Sequence, residues 1–488
     1  MVNKNITIFD YFKNNINKKK YFYEIETKIK KSHQEVFDSV VNITNNNIFY
    51  KKRIIVILPN CIAFIEYMLS IIHSGGIFIP TPYFTSLNEF KKNVNFFSPS
   101  VIITDRDDIK KTFSNKYKVI LLKKKKDIKK KILANHLIFK NKTTDICSIY
   151  YSSGTTGNPK AVMYTNQNMI SLIKSINNDF GFNKNDKHLT LLPFGHTASI
   201  NYNILPILMS GGELFISRGF TDIGVNFFNY LEKFKITYTQ IVPTIVFLLN
   251  KFDIKLKRKK FNYLKFIGCG SSTLPLSSQI EFIKKYKIKI SNLYGLSETG
   301  PTHLDDPRKK KWRPGTIGTP LSVNKCKIGK NNEILIKGKN LFTGYYKNKS
   351  LYKKVFEKNH WFKTGDIGTV KNKIFYFLDR SKDLIIKNGI NIVPSEIEEV
   401  IYKLDFIHEC CVVGIKDSIQ GEDIAVYIKL KKKQKLKNIE NKIKICCKDY
   451  LSNYKIPKYY FFTEKMPKTH SGKIIRKKVR EILNKKFR

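Results

Sequence analysis

One stretch constrains this chain more than any other: Tyr151-Ser152-Ser153-Gly154-Thr155-Thr156-Gly157-Asn158-Pro159-Lys160. It sets hydroxyls at Ser152, Ser153, Thr155 and Thr156 around two glycines that permit backbone with positive φ, and it closes on a stiffening proline and a lysine. Backbone N–H groups and hydroxyls in such a loop can donate to anionic oxygens, and the lysine adds a charge, which together suit phosphate groups. The spacing is G-x-x-G-x-x-K with Ala161 after the lysine, so it is not the G-x-x-x-x-G-K-[ST] nucleotide loop, whose last hydroxyl meets a magnesium ion. Ile146-Cys147-Ser148-Ile149-Tyr150 before it and Ala161-Val162-Met163-Tyr164 after it have strand character, which predicts a loop between two strands. Taken alone, a Ser/Thr/Gly-rich segment is equally a surface turn, so the remaining sequence must decide.

Around that loop the chain reads as layered α/β. Arg53-Ile54-Ile55-Val56-Ile57-Leu58 predicts a buried strand, Ile62 to Leu69 a helix that ends before Gly75-Gly76, and Ile77-Phe78-Ile79-Pro80 a second strand. Val101-Ile102-Ile103-Thr104 and Val119-Ile120-Leu121-Leu122 continue the pattern as parallel strands. Past the loop, helix-like 168–177 and 200–209 alternate with strand-like Leu189-Thr190-Leu191-Leu192 and Glu213-Leu214-Phe215-Ile216. Near residue 320 the texture changes to short strands and turns, and after Asp379 a smaller α/β unit begins. The expected fold class is α/β: a large N-terminal domain of layered sheets with a small β-rich subdomain over 1–379, and a small α+β domain over 380–488.

The charge invites a different class. Lys and Arg number 89 against 39 Asp and Glu, a net charge of +50, which would suit nucleic acid or an anionic membrane. The lysines, however, are spread through nearly every segment beside Asn, Ile, Tyr and Phe, as A/T-rich coding would produce, and the run Lys123 to Lys131 falls in loop-like sequence. No nucleic-acid partner is expected on this reading. The eight cysteines show no C-x-x-C spacing and the nine histidines do not gather near them, so they read as core thiols of a reducing compartment. The apolar stretch 54–72 is broken by Pro59, Asn60 and Glu66, short of the ~18 residues a membrane span needs. A cytoplasmic protein without a membrane span is the expectation.

Further stretches carry chemistry. Asn292-Leu293-Tyr294-Gly295-Leu296-Ser297-Glu298-Thr299-Gly300 follows a strand candidate and places a ring, a hydroxyl and a carboxylate together at a strand end; the carboxylate suits a hard cation. Trp361-Phe362-Lys363-Thr364-Gly365-Asp366-Ile367-Gly368 reads as a glycine-bracketed turn with one carboxylate, either a turn-maker or an acceptor for vicinal hydroxyls. Asp379-Arg380-Ser381-Lys382-Asp383 and Lys387-Asn388-Gly389-Ile390 follow, and the tail holds Pro467-Lys468-Thr469-His470-Ser471-Gly472-Lys473.

Together and in this order, these stretches resemble those of the adenylate-forming superfamily of acyl-CoA synthetases, peptide-synthetase adenylation domains and luciferases, over nearly the whole chain. The resemblance implies ATP-dependent activation of a carboxylic acid to an acyl-adenylate, then transfer to a thiol with release of AMP. By position it implies that Ser152, Ser153, Gly154, Thr155, Thr156, Gly157 and Lys160 cradle the β- and γ-phosphates. Tyr294 packs on adenine, Ser297 contacts phosphate and Glu298 binds Mg²⁺. Asp366 and Arg380 hold the ribose. Lys473 reaches the reacting α-phosphate and carboxylate from a C-terminal domain that is mobile about a hinge at Lys382, and Gly389 lines the thiol tunnel. The strand end Gly268-Cys269-Gly270-Ser271 is implied beside the adenine and acyl pocket. The departures are Asn388, where many members have glycine, and Ser297, where threonine is commoner.

Leu191-Leu192-Pro193-Phe194-Gly195-His196 resembles the segment where amino-acid-activating members carry an aspartate; here His196 stands instead, and a buried ammonium without a counter-charge is costly. With Val242 in an apolar wall 241–247 and Gly268 at the strand end beside the acyl pocket, a fatty or aryl acid is expected. CoA is the expected acceptor because no carrier domain follows Lys473. A ligase loading a separate acyl carrier protein is the alternative, and a polybasic nucleic-acid-binding protein the remote one.

Overall fold

The computed structural model describes residues 6–45, 49–122, 139, 141–152, 160–252, 254, 256, 261–310, 312–417, 419–431, 438–468 and 474–486. Two large sheets dominate. The first runs in the order Gly344–Tyr345, Lys160–Thr165, Ile146–Ser152, Ile77–Pro80, Arg53–Ile57, Val101–Thr104, Lys118–Leu121. Its four N-terminal strands are mutually parallel, as their uninterrupted Val/Ile runs predict for strands covered on both faces. The second starts at Thr319–Pro320 and passes through Gly300–Leu304, Ile290–Leu296, Phe266–Cys269, Tyr238–Ile241, Lys187–Thr190 and Glu213–Ile216 to the N-terminal hairpin Tyr21–Glu24 and Lys30–Ser32.

One core joins the two. Ile54, Phe78 and Tyr150 of the first sheet belong to the same buried cluster as Leu214, Tyr238, Phe266 and Leu293 of the second, with the helices Ile62–His73 and Asn166–Phe180 contributing to it. The second of these helices starts at Thr165, whose hydroxyl and Asn168 form a reciprocal capping box, and stops at Gly181 with φ +69°. Both helices extend beyond the segments expected from sequence. The segment expected as one helix over 200–209 is a π-helical turn, Ile200–Ile204, leading into an α-helix, Leu205–Ser210.

The β-rich texture near residue 320 becomes a third, five-stranded sheet in which Trp361–Lys371 is central, pairing with Glu333–Gly338 on one side and with Ile374–Arg380. Here the structure corrects the sequence reading: the Asp366 segment is strand, not turn. Gly365, at φ +70°, and a bulge at Ile367/Gly368 absorb the glycines without ending the strand. Likewise Tyr294 and Gly295 lie inside the strand Ile290–Leu296, which turns back through Ser297, Glu298 and Thr299 into Gly300–Leu304.

After the turn Ser381–Asp383 the chain builds a fourth sheet from Ile385–Lys387, Ile390–Ile392, Ile407–Asp417, Gly421–Leu430 and Tyr459–Phe462. Adjacent Cys410 and Cys411 point to its opposite faces. Cys410 joins the core with Pro394–Ile401 and Ile439–Tyr450; Cys411 joins that with Arg476–Lys486. All eight cysteines are free thiols. No described helix is long and apolar enough to cross a membrane.

Candidate active site

The hydroxyl-rich loop springs from an antiparallel pair, Ile146–Ser152 and Lys160–Thr165, with Ser152 opposite Lys160. This agrees with a loop between strands. Ser153, Gly154, Thr155, Thr156 and Gly157 lie outside the described residues, as does the Ser152 side chain. Lys160 at the exit is described: its Nζ is 3.8 Å from Glu298 Oε1 and 5.4 Å from the Tyr345 ring centre.

Glu298 sits in the Ser297–Thr299 turn, 8% exposed, and its Oε1 accepts a 2.8 Å hydrogen bond from the Tyr345 hydroxyl. The turn is held from below, because the Tyr164 hydroxyl donates to Ser297 O at 2.6 Å. Tyr345 belongs to the short edge strand paired with Lys160–Thr165, so that pairing brings Lys160, Glu298 and Tyr345 together. Burial and the facing carboxylate push the Tyr345 phenol well up, so it remains a donor. Among the described residues no three or more His, Cys, Asp or Glu side chains form a metal cluster. One nearly buried carboxylate beside a phosphate loop is nevertheless a donor set that suits Mg²⁺, which keeps waters and takes one or two carboxylates plus phosphate oxygens.

A second group forms where the second and third sheets meet. The Tyr294 hydroxyl donates to Asp366 Oδ2 at 2.7 Å, and Arg380 Nε lies 3.4 Å from Asp366 Oδ1. The Trp361–Lys371 and Ile374–Arg380 pairing sets Asp366 directly opposite Arg380. Asp366 is 2% exposed, and its backbone N–H donates to Thr364 Oγ1. Burial, then Asp366, raise the Tyr294 phenol well above its ordinary value. Lys382 follows in the next turn; burial lowers its pKa, and Arg380 and Lys160 push the same way. Lys160, Arg380 and Lys382 therefore share one neighbourhood with the carboxylates Glu298, Asp366 and Asp383.

Tyr294, Asp366, Arg380 and Lys382 line a cavity of about 1450 Å³, bounded on its far side by the helices Pro394–Ile401 and Arg476–Lys486. That volume exceeds the roughly 300–1,000 Å³ of a usual single-ligand pocket. Across it, Leu276 N donates to Glu399 Oε1 at 3.0 Å.

Other expected residues stand apart from this cavity. Gly268 is in the strand Phe266–Cys269, where a Cβ would fall 2.2 Å from Gln240 Oε1 and 2.7 Å from the Tyr238 hydroxyl; at Gly270 it would meet Leu293 O at 2.8 Å. A side chain at Gly270 would press on backbone, and one at Gly268 would require the Gln240, Leu293 and Tyr238 side chains to shift. Val242 precedes the helix Pro243–Lys251, and half-buried His196 has its ring 6.3 Å from that of Phe84. Gly389, at φ +75° beside Asn388 at +51°, forms the tip of the Ile385–Ile392 hairpin, and a Cβ there would meet nothing within 4 Å. Lys473 lies outside the described residues.

Sequence reasoning missed Tyr345 and Tyr164; the adjacent Gly344-Tyr345-Tyr346, two residues after Phe342, was the available signal.

The fold, with a cleft lined by a tyrosine–aspartate–arginine group, is that of the adenylate-forming enzymes. The AMP-binding enzyme family model matches residues 43–346, and the model of that enzyme's C-terminal domain matches 396–473. The chain belongs to the AMP-binding enzyme family. It is 32% identical over 355 residues to the long-chain-fatty-acid–CoA ligase of Bacillus subtilis (strain 168), a match spanning 69% of this chain and 62% of that one. It is 26% identical over 473 residues to the 2-succinylbenzoate–CoA ligase of Geobacillus sp. (strain WCH70), 93% of each. The crystal structure of ATP-bound MatB from Rhodopseudomonas palustris superposes with a TM-score of 0.89 at 20% identity, covering 99% of this chain and 100% of that one.

Proposed function

We propose that this chain is an AMP-forming acid–CoA ligase. A carboxylate oxygen of the acid attacks the α-phosphorus of ATP, and the bond to the β-phosphate bridging oxygen breaks, giving acyl-adenylate and pyrophosphate. The thiol of CoA then adds to the acyl carbon, the carbonyl–oxygen bond to AMP breaks, and a thioester leaves with the thiol proton lost to solvent or base.

The observation that carries this reading is the convergence on one cleft of Tyr294, Asp366 and Arg380 with Lys382, while Lys160 and Glu298 lie on the neighbouring turn and strand. Asp366 accepts from the ribose hydroxyls and Arg380 holds it in place. Tyr294 keeps that carboxylate oriented and offers its ring to adenine. Lys160, with Ser152, Ser153, Thr155 and Thr156, offsets the charge of the departing pyrophosphate. Glu298 holds Mg²⁺, which supplies further neutralisation at those phosphates when bound. Lys473 acts at the α-phosphate, from a C-terminal domain beginning at residue 380 that hinges near Lys382 and brings Gly389 to the thiol. His196, Val242 and Gly268 border the acyl group.

CoA is favoured over a carrier protein because both relatives named above are CoA ligases, and their acids, a long-chain fatty acid and an aryl acid, are the two classes to be compared here. Pyrophosphate release across short, medium, long and aryl acids, with CoA or phosphopantetheinylated carrier protein as acceptor, tests class, acid and acceptor in one screen.

A further inference from the structure

A row of buried polar side chains crosses the second sheet on the face that joins the shared core. His188 and Thr190 stand on the strand Lys187–Thr190, and Tyr238 and Gln240 on its neighbour Tyr238–Ile241, with Tyr238 opposite His188 and Gln240 opposite Gly268. All four polar residues are 0% exposed. The Tyr238 hydroxyl donates to Gln240 Oε1 at 2.7 Å. Gln240 Nε2 donates to the adjoining carbonyl, Ile241 O, at 3.3 Å, and its second proton has no acceptor among the described residues. Thr190 Oγ1 has no partner among them either, nor has either amide atom of the buried Asn203, on the π-helical turn Ile200–Ile204 that packs over these strands. Buried donors left unmatched are costly, so a row of them points to a partner that arrives from outside the chain.

Gln240 lies next to the cleft by way of two glycines. Its Oε1 would be 2.2 Å from a Cβ at Gly268 and its Nε2 3.4 Å from one at Gly270, so the carboxamide occupies the space a side chain at Gly268 would take and turns its nitrogen toward Gly270. Ser271, the next residue, lines the cleft, and so does Leu293, whose Cδ1 would be 2.7 Å from a Gly268 Cβ. Tyr238 fixes the direction of the amide, because a hydroxyl donating to Oε1 leaves Nε2 as the outward donor. Past Leu293, the wall at Gly268 is therefore an N–H group and not hydrocarbon. The row carries no cation: burial lowers His188 to about 3, and its other members are neutral. A carboxylate held there would be an unpaired buried charge, whereas a neutral oxygen acceptor matches the amide.

We propose that Gln240 is a specificity-determining residue whose amide N–H receives a neutral carbonyl oxygen on the far part of the acid, so that the substrate is an oxo acid and not a plain alkyl or aryl acid. The inference deepens the reading of the chain as an acid–CoA ligase and rests on it, with Gly268 bordering the acyl group. A site built around a donor rejects the analogue that lacks the acceptor, since the donor is then left unpaired.

The test measures acid-dependent ATP–pyrophosphate exchange by the full-length protein on straight-chain and aryl acids, each paired with counterparts of equal length that carry one keto group at successive positions. In the wild type, kcat/KM for the best oxo acid should exceed that of its plain counterpart by about 10- to 100-fold, the range for one hydrogen bond to an otherwise unpaired buried donor. The double variant Gln240→Met/Tyr238→Phe, which leaves no stranded hydroxyl, should bring the two acids to within a few-fold of each other by lowering the oxo acid, with KM for ATP unmoved. If that variant does not fold, the wild-type pairs alone decide. Equal kcat/KM for plain and oxo acids at every position, or a preference that persists in the variant, would overturn the proposal while leaving the acid–CoA ligase reading intact. Exchange with none of the acids would overturn that reading and the inference with it.

Discussion

Tyr294 and Asp366, 72 residues apart, meet through a 2.7 Å hydrogen bond in which the phenol donates to the carboxylate. That contact ties the second sheet to the third and fixes the face that Asp366 turns toward the cavity. Tyr294→Phe removes a buried donor to a charged acceptor, so it should cost about 1–3 kcal/mol of stability and raise KM for ATP. Asp366→Asn, which keeps the shape, should raise KM for ATP by roughly 10- to 100-fold, the range for a hydrogen bond to a charged group. Thermal melting and ATP titration of the two variants check both.

The Tyr345 hydroxyl donates to Glu298 Oε1, the carboxylate proposed to hold Mg²⁺. Tyr345→Phe should therefore raise the Mg²⁺ concentration needed for half-maximal activity by about 10- to 100-fold, the usual effect of losing a ligand's outer partner, while KM for the acid is unchanged. A magnesium titration at saturating acid reads this directly.

Lys160 faces Glu298 across 3.8 Å at the exit of the hydroxyl-rich loop. Lys160→Met should slow pyrophosphate release by about 100-fold or more, as loss of one preorganised charge donor does, and spare thioester formation from supplied acyl-adenylate. Equal loss in both half-reactions would make the loop structural.

The amount of this legible in the sequence varied with range. The parallel strands were readable because 54–57, 77–80 and 101–103 are unbroken apolar runs, a local property. The strand through Asp366 was not, because Gly365 and Gly368 read as turn residues until a neighbouring strand uses them as a kink and a bulge. The residue types of the candidate site could be named from motif order. Their partners could not: Tyr345 is one of 26 tyrosines, and only the pairing of its two-residue edge strand brings it to Glu298. Arg476 looked like one more cation in a basic tail until its fork onto Glu398 appeared.

Acid should destabilise the fold. Burial lowers His33 to about 4 and His188 and His303 to about 3, and His303 lies against the Tyr294 ring. These rings stay neutral when folded but take up protons near 6.5 when unfolded, so their stabilising effect is complete above that pH and is lost as pH falls toward 4 and 3. Asp305, raised by burial to about 7, works the other way: between 3.8 and about 7 it ionises only when unfolded, so its contribution declines as pH rises. Urea midpoints should therefore drop from pH 7 to pH 5, and Asp305→Asn should steepen that drop.

The most direct measurement is exchange of labelled pyrophosphate into ATP in the absence of CoA, across the acid panel, followed by addition of CoA. The account predicts exchange that depends on one class of carboxylic acid, is abolished in Lys473→Ala, and gives AMP and thioester stoichiometrically once CoA is added. No exchange with any acid, or release of ADP and phosphate instead of AMP and pyrophosphate, would contradict it.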